Sequence, residues 1–301
     1  MNPEKVFSKV FDNHQKYFLI PVLLIVLGIT VLGANYMQSG EFLNKGSDFA
    51  GGTEIQYKVN GSFTTSEIET AFANAGRTGT DAIRQETTSG ESLLVQLPPP
   101  NIENEEAERI LTDAGYNVKV ESFRSISAAV SSQFFLQAQI AFVLAFTVMS
   151  LVIFTAFKDV TPSMAVIFAA AGDIIIAAAG MALLNIPLTL GSLAALLMLI
   201  GYSVDTDIVL STRALKRERN SLKHRMWESA KTGITMSSGG VAGFTILYLI
   251  SFMIVGPSEL SNIAAVMVIG LLADMPLTWF GNTAILKSYI EDEDLIYRGG
   301  R

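Results

Sequence analysis

The 301-residue sequence has no cysteine, only two histidines and few charged residues. The lack of Cys excludes disulfides, iron–sulfur clusters, thiolate metal sites and thiol nucleophiles, and His14 and His224 alone argue against histidine-based catalysis. Charged residues make up 16% of the chain, whereas soluble globular proteins have about 25%. With a hydrophobic content of 50%, the composition excludes a soluble two-domain enzyme, and the net charge of −7 argues against nucleic-acid binding.

Six apolar segments are long enough to cross a bilayer, which takes about 20 residues of helix. The predicted spans are Tyr17–Met37, Phe134–Phe157, Pro162–Leu184, Pro187–Ser211, Ile234–Val255 and Leu260–Ile285. The first is longer than the core of a signal peptide and lacks a small-residue cleavage site, so we interpret it as a retained span. The sequence therefore predicts an α-helical polytopic membrane protein with six transmembrane helices.

Basic residues in short loops mark the cytoplasmic side of a membrane protein. All Lys and Arg outside residues 38–133 lie at the two ends or in the loops after spans two and four. The turns near Asn185 and at Gly256–Ser258 contain none. We therefore predict a location in the cell membrane with both termini cytoplasmic and residues 38–133 external. The basic loop Arg213–Lys231 either contacts anionic membrane lipid or acts only as a topology determinant.

Residues 38–133 carry the entire net charge of the chain. They contain 7 Lys and Arg against 14 Asp and Glu, whereas the remainder has 14 of each kind. The chain thus divides into residues 1–37 with the first span, an external domain at 38–133, and residues 134–301 with the other five spans. The external domain lacks a nucleophile–base pair, a phosphate loop and a metal-ligand cluster. It is typical of a binding or force-transmitting domain, or of a solvated acidic domain without a specific partner.

The external segment alternates between strand and helix patterns. Alternating apolar residues predict strands at Thr53–Val59, Asp81–Thr87, Ser92–Leu97 and Tyr116–Ser122. Helical patterns end at Gly76 and Gly115, and the first of them follows a hydroxyl cluster suited to an N-cap. The order βαββαβ predicts an α+β, ferredoxin-like domain inserted between helices 1 and 2.

Four carboxylates interrupt the apolar spans. They are Asp173 in span three, Asp205 and Asp207 in span four, and Asp274 in span six. Each costs about 2.5–3.5 kcal/mol at a helix centre, so an intramembrane acid is by default a functional group that faces the bundle interior. Because residues advance by about 100° along a helix, the two acids of span four point about 200° apart. One of them can face the bundle while the other seeks water, backbone or a partner protein.

No Lys or Arg lies at the centre of a span to neutralise these acids. The nearest cations in sequence are Arg213 and Lys231, and we predict that they support the acids together with the polar residues Thr206 and Thr235. Carboxyl groups of this kind can take up and release protons, as a proton pathway requires, or can simply hydrogen-bond and lock helices together. Pro276 removes a backbone hydrogen bond beside Asp274 and predicts a hinge there. We identify no catalytic residue, metal site or cofactor site in the sequence.

Four motifs resemble the SecD/SecF family of export proteins. The exit from span one reads Gly46-Ser47-Asp48-Phe49-Ala50-Gly51-Gly52 and is similar to the family's Gly-x-Asp-Phe-x-Gly-Gly signature. The run Gly201-Tyr202-Ser203-Val204-Asp205-Thr206-Asp207 resembles the fourth span of archaeal SecF-type members. Bacterial members have Gly-Tyr-Ser-x-Asn-Asp-Thr there, so their central Asp aligns with Thr206 and leaves open which neighbouring acid takes its role. Gly172-Asp173 and Lys231-Thr232-x-x-Thr235 resemble the third and fifth spans.

The resemblance covers essentially the whole chain and implies a relation to the RND transporter superfamily. It implies a non-enzymatic accessory subunit that works with SecD beside the SecYEG channel and uses the proton gradient to promote release of a translocating polypeptide. Under this hypothesis the four aspartates are the titratable groups. A structural or chaperone-like subunit without proton conduction of its own is the alternative. An intramembrane aspartyl protease would pair Asp173 with Asp205, but the flanking residues do not match the motifs of those enzymes.

Overall fold

The computed structural model describes residues 3–87, 90–215 and 220–299. Six helical stretches are long and apolar enough to cross a membrane, so the prediction of six spans is confirmed. They are formed by α2 (His14–Tyr17) with α3 (Leu19–Ser39), α7 (Ala128–Phe157), α8 (Val160–Leu183), α9 (Leu190–Leu215), α10 (Leu222–Ile254) and α11 (Glu259–Pro276) with the π-helical segment Leu277–Asn282 and α12 (Thr283–Gly299). Two further short helices are α1 (Pro3–Asp12) and α4 (Ser47–Ala50).

The helices differ in how much of their surface the protein covers. In α8, α9 and α11, 44 to 56% of the most apolar stretch is buried, against 6 to 11% in the first span, α7 and α10. Helices α8, α9 and α11 therefore form the interior of the bundle, whereas the first span, α7 and α10 present most of their surface outward. Small residues permit the close packing, since a Cβ on Gly270 of α11 would collide with Leu199 of α9.

The fifth spanning helix begins twelve residues earlier than the predicted Ile234. Ser221 caps it by accepting a hydrogen bond from the backbone N–H of His224, and its first turns bury Met226 and Ala230. These side chains pack on Phe7 and Phe11 of the amphipathic helix α1. Tertiary packing therefore extends the helix beyond its apolar stretch into the predicted loop Arg213–Lys231. Residues 216–219 of that basic loop lie outside the described residues.

After α4, the segment between α3 and α7 contains four strands and two helices. They are β1 (Gly52–Asn60), α5 (Thr65–Asn74), β2 (Asp81–Thr87), β3 (Gly90–Leu97), α6 (Asn104–Asp113) and β4 (Asn117–Ile126). The strands form one antiparallel sheet in the order β2-β3-β1-β4. Thr64 caps α5 through its side chain, as the hydroxyl cluster predicts.

One face of this sheet forms the hydrophobic core of the segment. Alternate residues of the central strands, among them Ile55, Tyr57, Leu93 and Val95, pack against Phe72 and other apolar residues of the two helices. The intervening side chains of the same strands, such as Glu54 and Gln56, point to the opposite face. Both helices lie on the core side, so the second face of the sheet is left to the helical bundle.

Candidate functional site

The structure brings three of the four intramembrane carboxylates together. Asp173 lies on α8, Asp207 on α9 and Asp274 on α11, and each side chain is no more than 1% exposed. These are the three helices that form the interior of the bundle. We call these three residues the acid cluster.

A single hydroxyl group links two members of the acid cluster. The Oγ1 atom of Thr278 lies 2.9 Å from Oδ1 of Asp207 and 3.2 Å from Oδ1 of Asp274. A threonine hydroxyl carries one proton, so it donates to one carboxyl group and offers only lone pairs to the other. If both carboxyl groups are ionised, the single proton is shared in a three-centre bond, whereas two full hydrogen bonds form when one carboxyl group is itself protonated.

Other neutral polar side chains complete the surroundings of the cluster. Asn282 donates to Asp207 at 2.8 Å, and Ser203 donates to Asp173 at 2.5 Å. Ser237 of α10 donates to Asp274 at 3.2 Å. One buried oxygen each of Asp173 and Asp207 has no hydrogen-bond partner among the described residues.

The cations identified in the sequence lie elsewhere. Arg213 donates to the backbone carbonyl of Glu228 and to the hydroxyl of Thr232, and Lys231 forms an ion pair with Glu228 at 2.7 Å. Within residues 3–87, 90–215 and 220–299, no ion pair or hydrogen bond joins a Lys, Arg or His to the acid cluster. The cluster is therefore stabilised by neutral hydroxyl and amide groups.

The remaining predicted site residues of span four and span five also lie outside the cluster. Asp205 is exposed on the surface of the bundle, so α9 turns Asp207 inward and Asp205 outward. This arrangement separates Asp205 from the buried Asp173, and the pair that an aspartyl protease would need is not formed. Thr206 is buried but bonds to the carbonyl of Tyr202, and the exposed Thr235 bonds to the carbonyl of Lys231.

Pro276 marks a change in helix geometry beside the cluster. It ends α11, and residues Leu277–Asn282 continue as a π-helix before α12 begins at Thr283. Proline lacks the N–H that would bond one turn back, and single π-turns inside helices are frequent at functional sites. Thr278 and Asn282, which both bond to Asp207, lie in this segment.

Four residues that bond to the acid cluster were not predicted as site residues from the sequence, namely Ser203, Ser237, Thr278 and Asn282. Polar uncharged residues are common in membrane helices, so none of the four stands out by type. Spacing offers one signal, because Asp274, Thr278 and Asn282 follow one another at intervals of four on one helical stretch.

The glycine-rich signature forms a joint between the sheet and the bundle. We call residues Gly46–Gly52 the joint segment. Asp48 is 1% exposed and accepts hydrogen bonds from Arg124 of β4 and, at 2.9 Å, from the backbone N–H of Leu190, the first residue of α9. Phe49 packs edge-on against Phe135 of α7. The carboxylate of Asp48 thus joins the sheet to the N-terminus of the helix that carries Asp207.

Backbone geometry explains the glycines of the joint segment. Gly51 and Gly52 have φ values of +79° and +120°, which residues with a side chain rarely adopt. A Cβ on Gly52 would collide with the carbonyl oxygen of Leu97, and one on Gly51 would lie 2.9 Å from Cα of Ala128. On the other side, the N–H of Gly46 donates to the carbonyl of Leu188 at 2.8 Å. The segment therefore combines tight turns with close backbone approach.

These observations define a multi-pass membrane protein whose interior helices hold a cation-free acid cluster and whose bundle is joined to a four-stranded sheet. Residues 106–292 match the family of protein-export membrane proteins SecD/SecF, C-terminal. The chain belongs to the SecD/SecF family, as the sequence motifs predict.

Relatives named protein-export membrane protein SecF cover nearly the whole chain. The protein from Methanothermobacter thermautotrophicus is 37% identical over 287 residues, which is 95% of this chain and 96% of that protein. The protein from Methanocaldococcus jannaschii is 33% identical over 94% of this chain and 98% of its own length. The prediction of an archaeal-type SecF relative is confirmed.

A solved structure shares the fold. The crystal structure of SecDF, a translocon-associated membrane protein from Thermus thermophilus, superposes with a TM-score of 0.75 at 22% identity. The match covers 93% of this chain and 38% of that chain. The chain therefore corresponds to a little over a third of the length of a SecDF polypeptide.

Proposed function

We propose that this chain is an accessory subunit of the Sec protein-export machinery that couples proton movement through the acid cluster to the release of exported polypeptides. The names of its relatives support the export role, and SecDF is described as translocon-associated. Because the chain spans only 38% of the SecDF structure, a separate SecD chain would supply the remainder. SecYEG and the translocating polypeptide would be the further partners.

The proposed arrangement has three parts. Residues 1–37 hold a cytoplasmic N-terminus and the first span, and residues 134–301 hold the other spans and a cytoplasmic C-terminus. Residues 38–133 form an external, ferredoxin-like domain, which the βαββαβ element order and the antiparallel sheet support. The positive-inside distribution of Lys and Arg supports this orientation. In this arrangement no residue has a catalytic role.

The bridging hydroxyl of Thr278 carries the proposal of proton coupling. It lies within hydrogen-bond distance of two carboxyl groups and has one proton to donate. Both carboxyl groups can therefore form a full hydrogen bond to Thr278 when one of them, Asp207 or Asp274, carries an additional proton. Full ionisation would place neighbouring negative charges inside the bundle, where each ion costs several kcal/mol to desolvate. Uptake and release of a proton would then alter how α9, α11 and the π-helical segment are held together.

The joint segment offers a route from the cluster to the external domain. Asp207 and Leu190 lie on the same rigid helix, α9, and Leu190 is bonded to Asp48. A shift of α9 would therefore displace the sheet through the hydrogen bonds of Asp48 to Leu190 and Arg124. Pro276 would serve as the hinge beside the cluster.

A structural role without proton conduction is the second candidate. Every member of the acid cluster is hydrogen-bonded to a neutral side chain of another helix or of the π-helical segment, which suits a group that locks helices together. In that case the carboxyl groups act as hydrogen-bond acceptors and their charge is irrelevant.

Asp207→Asn separates the two candidates, because asparagine keeps the size of the side chain and an acceptor oxygen but cannot release a proton. Asp205→Asn is the matched control, since it makes the same substitution on the exposed side of the same helix. The measurements are proton uptake into proteoliposomes that contain this chain with SecD, and the export rate of a secreted reporter with and without a collapsed proton gradient. We expect Asp207→Asn to abolish proton uptake and gradient-dependent export, and Asp205→Asn to retain both. Normal uptake and export in Asp207→Asn would refute proton coupling.

A further inference from the structure

A cavity of about 1100 Å³ lies between the open face of the sheet and the bundle. Its upper wall consists of side chains on the face of the sheet opposite the core, including Glu54, Gln56 and Gln96. Its lower wall consists of α10 and α11, with Tyr248 and Ile269 among the lining residues. The acid cluster and its hydrogen-bond partners do not line this cavity.

The cavity is bounded by two contacts between the sheet and the bundle. At one side the joint segment is bonded to Leu188 and Leu190. At the other side Gln85 of β2 donates from Nε2 to the carbonyl oxygen of Pro257 at 2.6 Å, in the turn between α10 and α11. The sheet therefore contacts the bundle at two points, and a partly open space lies between them.

The two walls have complementary chemistry for an extended polypeptide. Gln56 donates one N–H to Gln85 and Gln96 donates one to Glu54. Each keeps a second N–H and its carbonyl oxygen, which match the C=O and N–H groups of a peptide backbone. The opposite wall presents Tyr248, Phe252 and Ile269 to apolar side chains. An extended chain directs successive side chains to opposite sides, so it contacts both walls at once.

The charges of the lining favour a basic occupant. Glu54, Asp81 and Glu259 line the cavity and form no ion pair within the described parts of the chain. The two lining cations are already paired, Lys45 with Glu41 and Arg124 with Asp48. The cavity thus has unneutralised negative charge, which attracts basic segments and repels the phosphate of an anionic lipid.

We propose that this cavity binds a short extended segment of polypeptide that alternates basic and apolar side chains. The amide-rich sheet face holds the peptide backbone, the three carboxylates without an ion pair hold Lys or Arg, and the apolar wall of α10 and α11 holds the intervening side chains. The proposal rests on the proposed export function, for which it names the surface that meets the exported chain. The bound polypeptide segment lies on the face of the sheet that is directed towards the bundle, rather than on the face covered by α5 and α6.

The test measures binding of fluorescent ten-residue peptides to the purified full-length chain in a non-ionic detergent. The probe alternates Lys and Val, and the comparison peptide alternates Glu and Val. Glu54→Gln combined with Glu259→Gln removes two charges from the cavity. Glu105→Gln combined with Asp113→Asn, two exposed positions at the ends of α6, makes the same change in net charge on the helical face.

We expect the Lys–Val peptide to bind with micromolar affinity, the cavity variant to bind it about tenfold more weakly and the control variant to bind within twofold of the unchanged chain. Equal binding by the cavity variant and the unchanged chain, or equal binding of the Glu–Val peptide, overturns the proposal. Binding of fluorescent phosphatidylglycerol that the cavity variant alters and the control variant does not also overturns it, because the site would then be a lipid site. A melting curve of each variant verifies folding. The assay involves no proton gradient, so its failure is distinct from a failure of Asp207→Asn to stop export.

Discussion

Removing the carboxylate of Asp48 should loosen the joint between the sheet and the bundle. The side chain is 1% exposed and holds two partners, the guanidinium of Arg124 and the backbone N–H of Leu190 at the start of α9. Loss of a capping side chain costs about 1 kcal/mol. A hydrogen bond to a charged group contributes about 1.5–3 kcal/mol when both partners are buried.

The second contribution must be reduced because Arg124 remains 46% exposed. Water solvates its guanidinium once Asp48 is removed, so the stranded charge costs far less than in a fully buried pair. We therefore expect Asp48→Ala to lower the free energy of local opening at the joint by about 2 kcal/mol. Asp48→Asn keeps an acceptor oxygen for Leu190 but loses the charge, and we expect about 1 kcal/mol.

Hydrogen–deuterium exchange of the full-length chain measures this opening directly. A reduction of about 2 kcal/mol corresponds to roughly 30-fold faster exchange, since about 1.4 kcal/mol is one factor of ten. The faster exchange should be confined to residues 46–52 and to the first turn of α9. Asp113→Asn, an exposed acid at the end of α6, is the control and should leave these rates unchanged. Unchanged exchange at the joint in Asp48→Ala would refute the reasoning.

Two other predictions concern packing and pH. Gly233→Ala should destabilise the chain by about 1–3 kcal/mol in thermal melts, because the added Cβ would collide with Trp279 and lie 2.9 Å from Cγ2 of Thr206. Gly239→Ala is the control and should be neutral or stabilising in the same melts, because its Cβ would meet nothing within 4 Å. Burial and the nearby carboxylate of Glu108 raise the pKa of the Tyr57 hydroxyl. The unfolded chain therefore releases this proton above about pH 10 while the folded chain keeps it, so stability falls as pH rises beyond that value. Tyr57→Phe should reduce this alkaline loss by about 1.4 kcal/mol per pH unit and leave stability at pH 7 nearly unchanged, and an equal alkaline loss in both proteins would contradict the argument.

The spans were predictable because bilayer thickness imposes a length and a composition that each helix must meet alone. The start of α10 was not, because it depends on contacts between distant parts of the chain. Met226 and Ala230 lie among charged residues in the sequence, and they become a helix face only against Phe7 and Phe11. Hydropathy therefore identifies where a helix crosses the membrane and underestimates how far it continues.

The acid cluster was predictable in its charged members and not in its neutral ones. A carboxylate inside a membrane helix carries a large insertion cost, so it is recognised in the sequence as a candidate functional group. The angle between Asp205 and Asp207 along the helix already required that the two side chains face different surroundings. Which of the two turns inward depends on how α9 is rotated against α8 and α11. Ser203 lies one turn before Asp207 and bonds to Asp173, so the same face of α9 supplies both contacts. That rotation is set by packing across three helices and has no local signal.

The π-helical segment explains how one stretch of chain supplies three groups to the cluster. An α-helix advances about 100° per residue, so positions four apart drift by about 40° and Asn282 would lie about 80° from Asp274. Bonds of the i→i+5 type wind the chain less per residue, which reverses part of this drift over Leu277–Asn282. Thr278 and Asn282 can then both reach Asp207 while Thr278 still contacts Asp274. Pro276 stands directly before this segment, so the hinge predicted there adjoins the turns that direct Thr278 and Asn282 towards the acids.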